Sequence, residues 1–241
     1  MPDYPTAALD TASAGAGGGS PPNVALASAL TAISGLTDAV GYAALGHLFL
    51  SFMSGNSTHF GTSLAGMDWP DAALAGAVIA TYVAGSALGT WIGDRAGGRR
   101  KPLVLGTELL ILCVALGLTL LGAGGVALVP VAAAMGMQNT LHQIVAGADV
   151  GKGFLTGNLF ALGQSLARLG REPDESRRAV LNGLSWLAFI AGVVAGALIY
   201  GRFGLEVALL TIVIAVGGLL LADTSQRLRR RRRHSRSRGI A

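Results

Sequence analysis

From Val24 onward the chain alternates long apolar runs with short polar breaks. Six runs, at 24–45, 71–93, 103–121, 126–145, 179–200 and 204–221, each come close to the roughly 20 residues a membrane helix needs. Two further stretches, 48–66 and 153–168, are shorter and more polar. They contain Ser54-Gly55-Asn56-Ser57-Thr58-His59 and Thr156-Gly157-Asn158. The pattern predicts an all-α membrane protein. Its domain is 23–222, with repeat one at about 24–121 and repeat two at about 126–221.

Composition sharpens that reading. Charged residues are 13% of the chain, about half the soluble norm of roughly 25%. Two charges precede Asn23 and nine follow Leu221, which leaves 20 across 198 residues. A soluble domain of that size lacks its charged surface on such numbers. Residues 1–22 are rich in Gly, Ala, Ser and Pro and predict a disordered tail. No Lys or Arg precedes an apolar core there, so it does not read as a secretory signal. Residues 223–241 form a basic tail. Cys113 is alone, so no disulfide closes within the chain and no cysteine cluster binds metal. No cofactor is expected.

The chain repeats itself. Residues 54–65 (SGNSTHFGTSLA) and 156–167 (TGNLFALGQSLA) agree at six of twelve positions, where composition alone gives about one. Residues 84–97 and 191–204 agree at six positions, including Gly85/Gly192, Gly89/Gly196 and Arg95/Arg202. Upstream, Gly35-Leu36-Thr37-Asp38 aligns with Gly136-Met137-Gln138-Asn139. Ordered matches of this kind point to duplication.

Charge then chooses a topology. Basic residues concentrate in cytoplasmic loops. If all eight apolar segments cross, the basic residues split six against twelve. If the two Gly-Asn segments dip in and return, 17 of 18 fall on one side, and only Arg202 lies opposite. The expectation is six transmembrane helices plus two re-entrant half-helices, built as two inverted repeats of three crossings each. Both termini are then cytoplasmic, in a bacterial inner membrane, and the two Gly-Asn tips meet near the midplane. Inverted repeats with broken helices at that depth mark transporters and channels.

At Gly35-Leu36-Thr37-Asp38-Ala39, Ser54-Gly55-Asn56, Gly136-Met137-Gln138-Asn139 and Thr156-Gly157-Asn158, the chain resembles the YoaK-like family of bacterial multi-pass membrane proteins of unknown function. The resemblance covers about residues 24–221 and implies six transmembrane helices. It implies no activity. Ser54 departs mildly from a pattern that favours Thr. The layout is also analogous to the aquaporin plan of two half-helices with Asn at their tips.

The candidate site is Asp38, Ser54, Gly55, Asn56, Gln138, Asn139, Thr156, Gly157 and Asn158. Ser or Thr before Gly suits a turn into a helix start, whose free N–H groups attract electron-rich groups. An Asn amide offers two donors and one acceptor to a solute, or caps its own half-helix. A carboxylate inside an apolar run is a functional candidate by default, here for a cation or a proton. Its repeat partner Asn139 cannot ionise, which suits directional transport. His59 and His142 are further titratable candidates. Glu108 and Glu206 read as interfacial, and Asp149 with Lys152 as a surface pair.

Gly85, Gly89 and Gly93, echoed at Gly192 and Gly196, form small-xxx-small faces. They suit packing of helix 71–93 against helix 179–200, or a homodimer. The arginines of Arg227–Arg238 suit anionic lipid, not nucleic acid, because no aromatic residue interleaves with them. No metal-ligand spacing, nucleophile–base pair or phosphate loop is visible, so an enzyme is not expected. The function expected is movement of a small solute, with an uncoupled channel and a membrane scaffold or accessory subunit as rivals.

Overall fold

The structure is a computed structural model that describes residues 21–141, 143–145, 148–150, 155–171 and 173–238, and the side chains of 24–141, 155–171 and 173–228. The N-terminal tail, His142 and Lys152 lie outside the described residues, as does the Asp149 side chain. Helices run α1 Pro21–Ala44, α2 Met53–Ala65, α3 Trp69–Ala96, α4 Arg100–Leu120, α5 Val129–Gln138, α6 Leu155–Ala167 and α7 Glu175–Arg238. A short antiparallel hairpin, β1 Gln143–Val145 with β2 Ala148–Val150, precedes α6.

Local chemistry sets several boundaries. Asp68 caps α3 by accepting from the Asp71 N–H, and Pro70 fits the first turn, where no N–H is needed. Gly97 ends α3 at φ 50°, and Gly204 interrupts α7 at φ 82°. Both angles suit glycine, and the two glycines are repeat partners. They divide each repeat's last helical stretch into two limbs, so α7 comprises a limb 175–203 and a limb 205–238.

The expected span 126–145 is not one helix. A single 3-10 turn, Gly124–Leu128, leads into α5, which stops at Gln138. A second 3-10 turn, Asn139–Leu141, and the hairpin follow. The polar run Gln138-Asn139-Thr140 sits at this break, where the Thr140 hydroxyl donates to the Met137 carbonyl. Side chains that bond to nearby backbone compete with helix. At the other end, helix continues through Arg238, past the boundary expected at 223.

Glycine contacts fix the packing. A Cβ on Gly85 would strike Ala133, and one on Gly89 the Met137 backbone. A Cβ on Gly192 would strike Ala32, and one on Gly196 the Leu36 backbone. Gly136 lies against the Tyr82 carbonyl, as Gly35 lies against that of Phe189. The sequence expectation of internal packing holds, but the partners are different. α3 packs on α5, and the 175–203 limb packs on α1, rather than these two glycine faces on each other. A glycine face accepts any backbone that can come close, so sequence does not choose the partner.

Equivalent helices run antiparallel. Gln138, at the end of α5, bonds to Leu30 on α1, while Gly125, in the turn ahead of α5, sits against Ala44. On α4 and the 205–238 limb, Leu109 lies beside Gly217, and the Arg227 guanidinium reaches the Gly98 carbonyl. The core between these helices includes Val40, Leu48, Leu105, Leu112, Met135, Leu209 and Ile212. Outward, α3, α4 and α7 carry exposed Val83, Leu88, Trp91, Leu110, Val114, Val194, Leu198, Leu210 and Ile214. Among the described residues three helical stretches are long and apolar enough to cross a membrane: Val24–Ala44, Trp69–Leu120 and Glu175–Leu228. A broad apolar outer surface of this kind belongs in lipid.

Candidate functional site

The two half-helices share one design. In α2 the buried residues are Asn56 and Ser63, and in α6 they are Asn158 and Ser165. Seven residues is two helical turns, so each pair lies on one face. The apolar side chains point the other way: Leu64, Leu159, Phe160 and Leu166 are exposed. Both half-helices therefore turn a polar stripe inward, with hydrogen bonds holding helix to helix. α2 packs on α3, and α6 packs on α7. The two half-helices do not pack along each other among the described residues.

Asp38 sits on α1, 2% exposed, beneath the approach to α2. Its Oδ1 accepts from the Leu50 N–H at 2.8 Å and the Ser51 N–H at 2.6 Å. Its Oδ2 accepts from the Ser51 hydroxyl at 2.7 Å. Asn56 closes the same loop. Its Oδ1 accepts from the Phe49 N–H at 2.9 Å, and its Nδ2 donates to the Phe49 carbonyl at 2.7 Å. Non-helical backbone at membrane depth needs such partners, since lipid supplies none. Gly55 lets the Phe52 and Phe49 rings come close, because a Cβ there would strike both.

The second repeat uses other ties. The Gln138 Nε2 donates to the Leu30 carbonyl and the Ser34 hydroxyl, each at 3.0 Å, and so joins α5 to α1. Asn139 donates to the Tyr82 hydroxyl on α3. The Asn158 Nδ2 donates to the Ser185 hydroxyl at 3.0 Å, inside the bundle. The Ser165 hydroxyl donates to Glu175, which also accepts from Arg178 at 3.0 Å. Ser54, Thr156 and Gly157 are exposed.

The structure thus links Asp38 to the α2 loop, Gln138 to α1, Asn139 to α3 and Asn158 to α7. His59 faces Asp71 at 3.6 Å, outside this set. Among the described residues no three His, Cys, Asp or Glu side chains cluster for a metal. Sequence reasoning missed Ser63, Ser165 and Ser185. The recurrence of Ser seven residues after each Gly-Asn was the available signal.

Glu108, placed near a span end by the sequence, is fully buried in the bundle, on the α4 face that also buries Leu105 and Leu112. Distance from a helix end is legible in a sequence, whereas the direction a residue faces is set by what packs there.

Comparison with known proteins agrees with this picture. The chain is 30% identical over 181 residues to the UPF0700 transmembrane protein RA0705 of Rhizobium meliloti (strain 1021), covering 75% of this chain and 77% of that protein. No solved structure matches the chain. Residues 26–222 match the family described as "Protein of unknown function (DUF1275)". With its exposed apolar helices and a transmembrane relative, the protein is a membrane protein of an uncharacterised family, and the family to which it belongs is DUF1275.

Proposed function

We propose that this protein moves a small solute across a bacterial inner membrane, as a six-crossing transporter built from two inverted repeats. The antiparallel course of repeat-equivalent segments carries the reading: residues 124–138 run against α1 from Gly125 at Ala44 to Gln138 at Leu30, and α4 packs on the 205–238 limb. Repeats that cross an odd number of times point opposite ways, and such helices then pack antiparallel. The half-helices add support. Thirteen residues reach about 20 Å, short of the roughly 30 Å hydrocarbon core, whereas α5 and the 3-10 turns on either side of it make one helical course over 124–141. The Arg227–Gly98 contact sets the end of α7 beside the α3–α4 turn, where Arg95, Arg99, Arg100 and Lys101 gather. That end is cytoplasmic by the charge rule.

In this reading the solute passes between the approaches to α2 and α6. Ser54, Thr156 and Gly157 line the path, while Asp38, Gly55, Asn56, Gln138, Asn139 and Asn158 hold its shape. No chemistry is performed on the solute and no cofactor is needed. The arginines from Arg227 to Arg238 rest on anionic lipid. Saturation of Asp38 by three donors favours one alternative, an uncoupled channel, over coupling through that residue.

Cysteines placed singly at Asp71, Gly98 and Ser176, in a Cys113→Ala background, test the topology. An impermeant thiol reagent applied outside labels only position 71 if six crossings are right. Outside labelling at 98 or 176 removes the inverted-repeat reading. Ligand-induced thermal shifts of the purified protein identify a solute, whose flux in liposomes then tests transport.

A further inference from the structure

We propose that Glu108 is the proton-binding group of this bundle, a carboxyl that stays neutral in the closed interior and exchanges its proton when the packing around α4 opens. Coupling of that proton to a solute rests on the transport reading above, but the proton-binding site itself does not.

Glu108 is 0% exposed, and neither carboxyl oxygen has a hydrogen-bond partner among the described residues. Asp38 is the contrast, since its oxygens take three donors. An ionised carboxylate without partners in an apolar core carries a large desolvation penalty. A bound proton removes that cost, whereas a metal cation would need several oxygen ligands. No cluster of such ligands exists among the described residues.

Among the described side chains, the elements packed on α4 supply no counter-charge. α5 and the Gly124–Leu128 turn carry no titratable residue, and the Gly97–Arg99 turn carries only the exposed Arg99. On α3, Asp71 faces His59, Tyr82 bonds to Asn139, and Asp94 and Arg95 are exposed. On α7, Glu175 pairs with Arg178 and Asp223 with Arg227, while Arg177, Arg202 and Glu206 are exposed. The half-buried Tyr200 does not bond to Glu108 either.

A cleft of about 650 Å³ opens at the start of α4, lined by Arg100, Lys101, Leu219, Asp223, Gln226 and Arg227 among others; Glu108 does not line it, so the packing between them must open for a proton to pass. Glu108 lies eight residues further along α4 than Arg100, about 12 Å at helical rise. At the repeat shift of 107 its counterpart is Ala215, while the neighbouring pair Leu105 and Ile212 is buried in both repeats. The acid therefore stands in one repeat only, which gives the bundle a single proton site off its pseudo-twofold.

Infrared spectra of the full-length protein in lipid nanodiscs test this. The wild type is expected to show a protonated-carboxyl C=O stretch at neutral pH, which Glu108→Gln removes. The band should shift in D2O and bleach reversibly as pH rises. Asp38→Asn should leave it in place. Glu108→Asp should displace the band without removing it, which covers the case in which Glu108→Gln fails to fold. A band that Glu108→Gln leaves unchanged in a folded protein overturns the proposal. So does a Glu108 band that neither shifts in D2O nor bleaches, since that carboxyl is sealed. Proton movement that accompanies solute in liposomes tests the coupling separately. A titrating band without solute flux keeps the proton site and removes the transport reading.

Discussion

The two repeats share two pairs of close glycine contacts and differ in polar chemistry. Gly85 on Ala133 has its counterpart in Gly192 on Ala32, and Gly136 on Tyr82 in Gly35 on Phe189. The polar ties do not follow. Asp38 gathers three donors from the loop ahead of α2, while its partner Asn139 donates to Tyr82 and a hairpin leads into α6. Close backbone approach leaves little room for change, since any added Cβ collides. A hydrogen bond can be replaced by another of different geometry. These glycines therefore preserve the frame, and the polar residues are where the halves differ.

The sharpest way to break the comparison is to fill the glycine contacts. Gly85→Ala and Gly192→Ala each drive a Cβ into backbone, and overpacking of this kind costs on the order of 1–3 kcal/mol. Both variants should lower the thermal midpoint by similar amounts, read by light-scattering melts in detergent. A loss confined to one of them would show that the two interfaces are not equivalent.

The next contrast separates hydrogen bonding from charge at Asp38. Asp38→Ala leaves the Leu50 and Ser51 N–H groups and the Ser51 hydroxyl without their acceptor, at about 1–3 kcal/mol for each buried group stranded. Asp38→Asn keeps one oxygen toward the two N–H groups, and the Ser51 hydroxyl can turn to accept from the new amide. Thermal melts should rank the alanine variant well below the asparagine variant. Equal losses would mean that the charge itself, rather than the acceptor geometry, holds the loop.

At Asn158 the tie is a single pair. Asn158→Ala and Ser185→Ala should each cost about 1 kcal/mol, the usual net value of one hydrogen bond. The double variant should cost little more than either, because both remove the same bond. Additive losses in that cycle would place the stabilising partner of Asn158 elsewhere.

Much of this frame was legible from residue patterns. Apolar runs located α1, α3, α4 and both limbs of α7, because a lipid-facing helix must be apolar along its length. The repeat was legible because identical residues kept their order. Span 126–145 was misread because its apolar run continues through Gln138-Asn139-Thr140, whose side chains take part in the break. The burial of Glu108 was illegible because α4 is covered by α5 and α7, distant in sequence. Asp38 was visible as a buried carboxylate, but its partners Leu50 and Ser51 belong to a loop whose path no periodicity predicts. In the site as a whole, sequence named the polar residues and left open what each one touches.

The smallest effect is expected where the repeats share a glycine that no contact requires. Gly61 and Gly163 are repeat partners inside α2 and α6, and an added Cβ meets nothing at either. Glycine inside a helix is less favourable than alanine by roughly 0.5–1 kcal/mol, because it loses more backbone freedom on folding. With no collision to oppose that gain, Gly61→Ala and Gly163→Ala should each raise the thermal midpoint slightly, or leave it unchanged, with the oligomeric state intact. The sign is the opposite of that expected for Gly85 and Gly192, though all four glycines recur across the repeats. A clear loss of stability at Gly61 or Gly163 would mean that something covers the outer face of the half-helices in the membrane. A loss of flux with stability preserved would mean that the half-helices need glycine to bend as the solute passes.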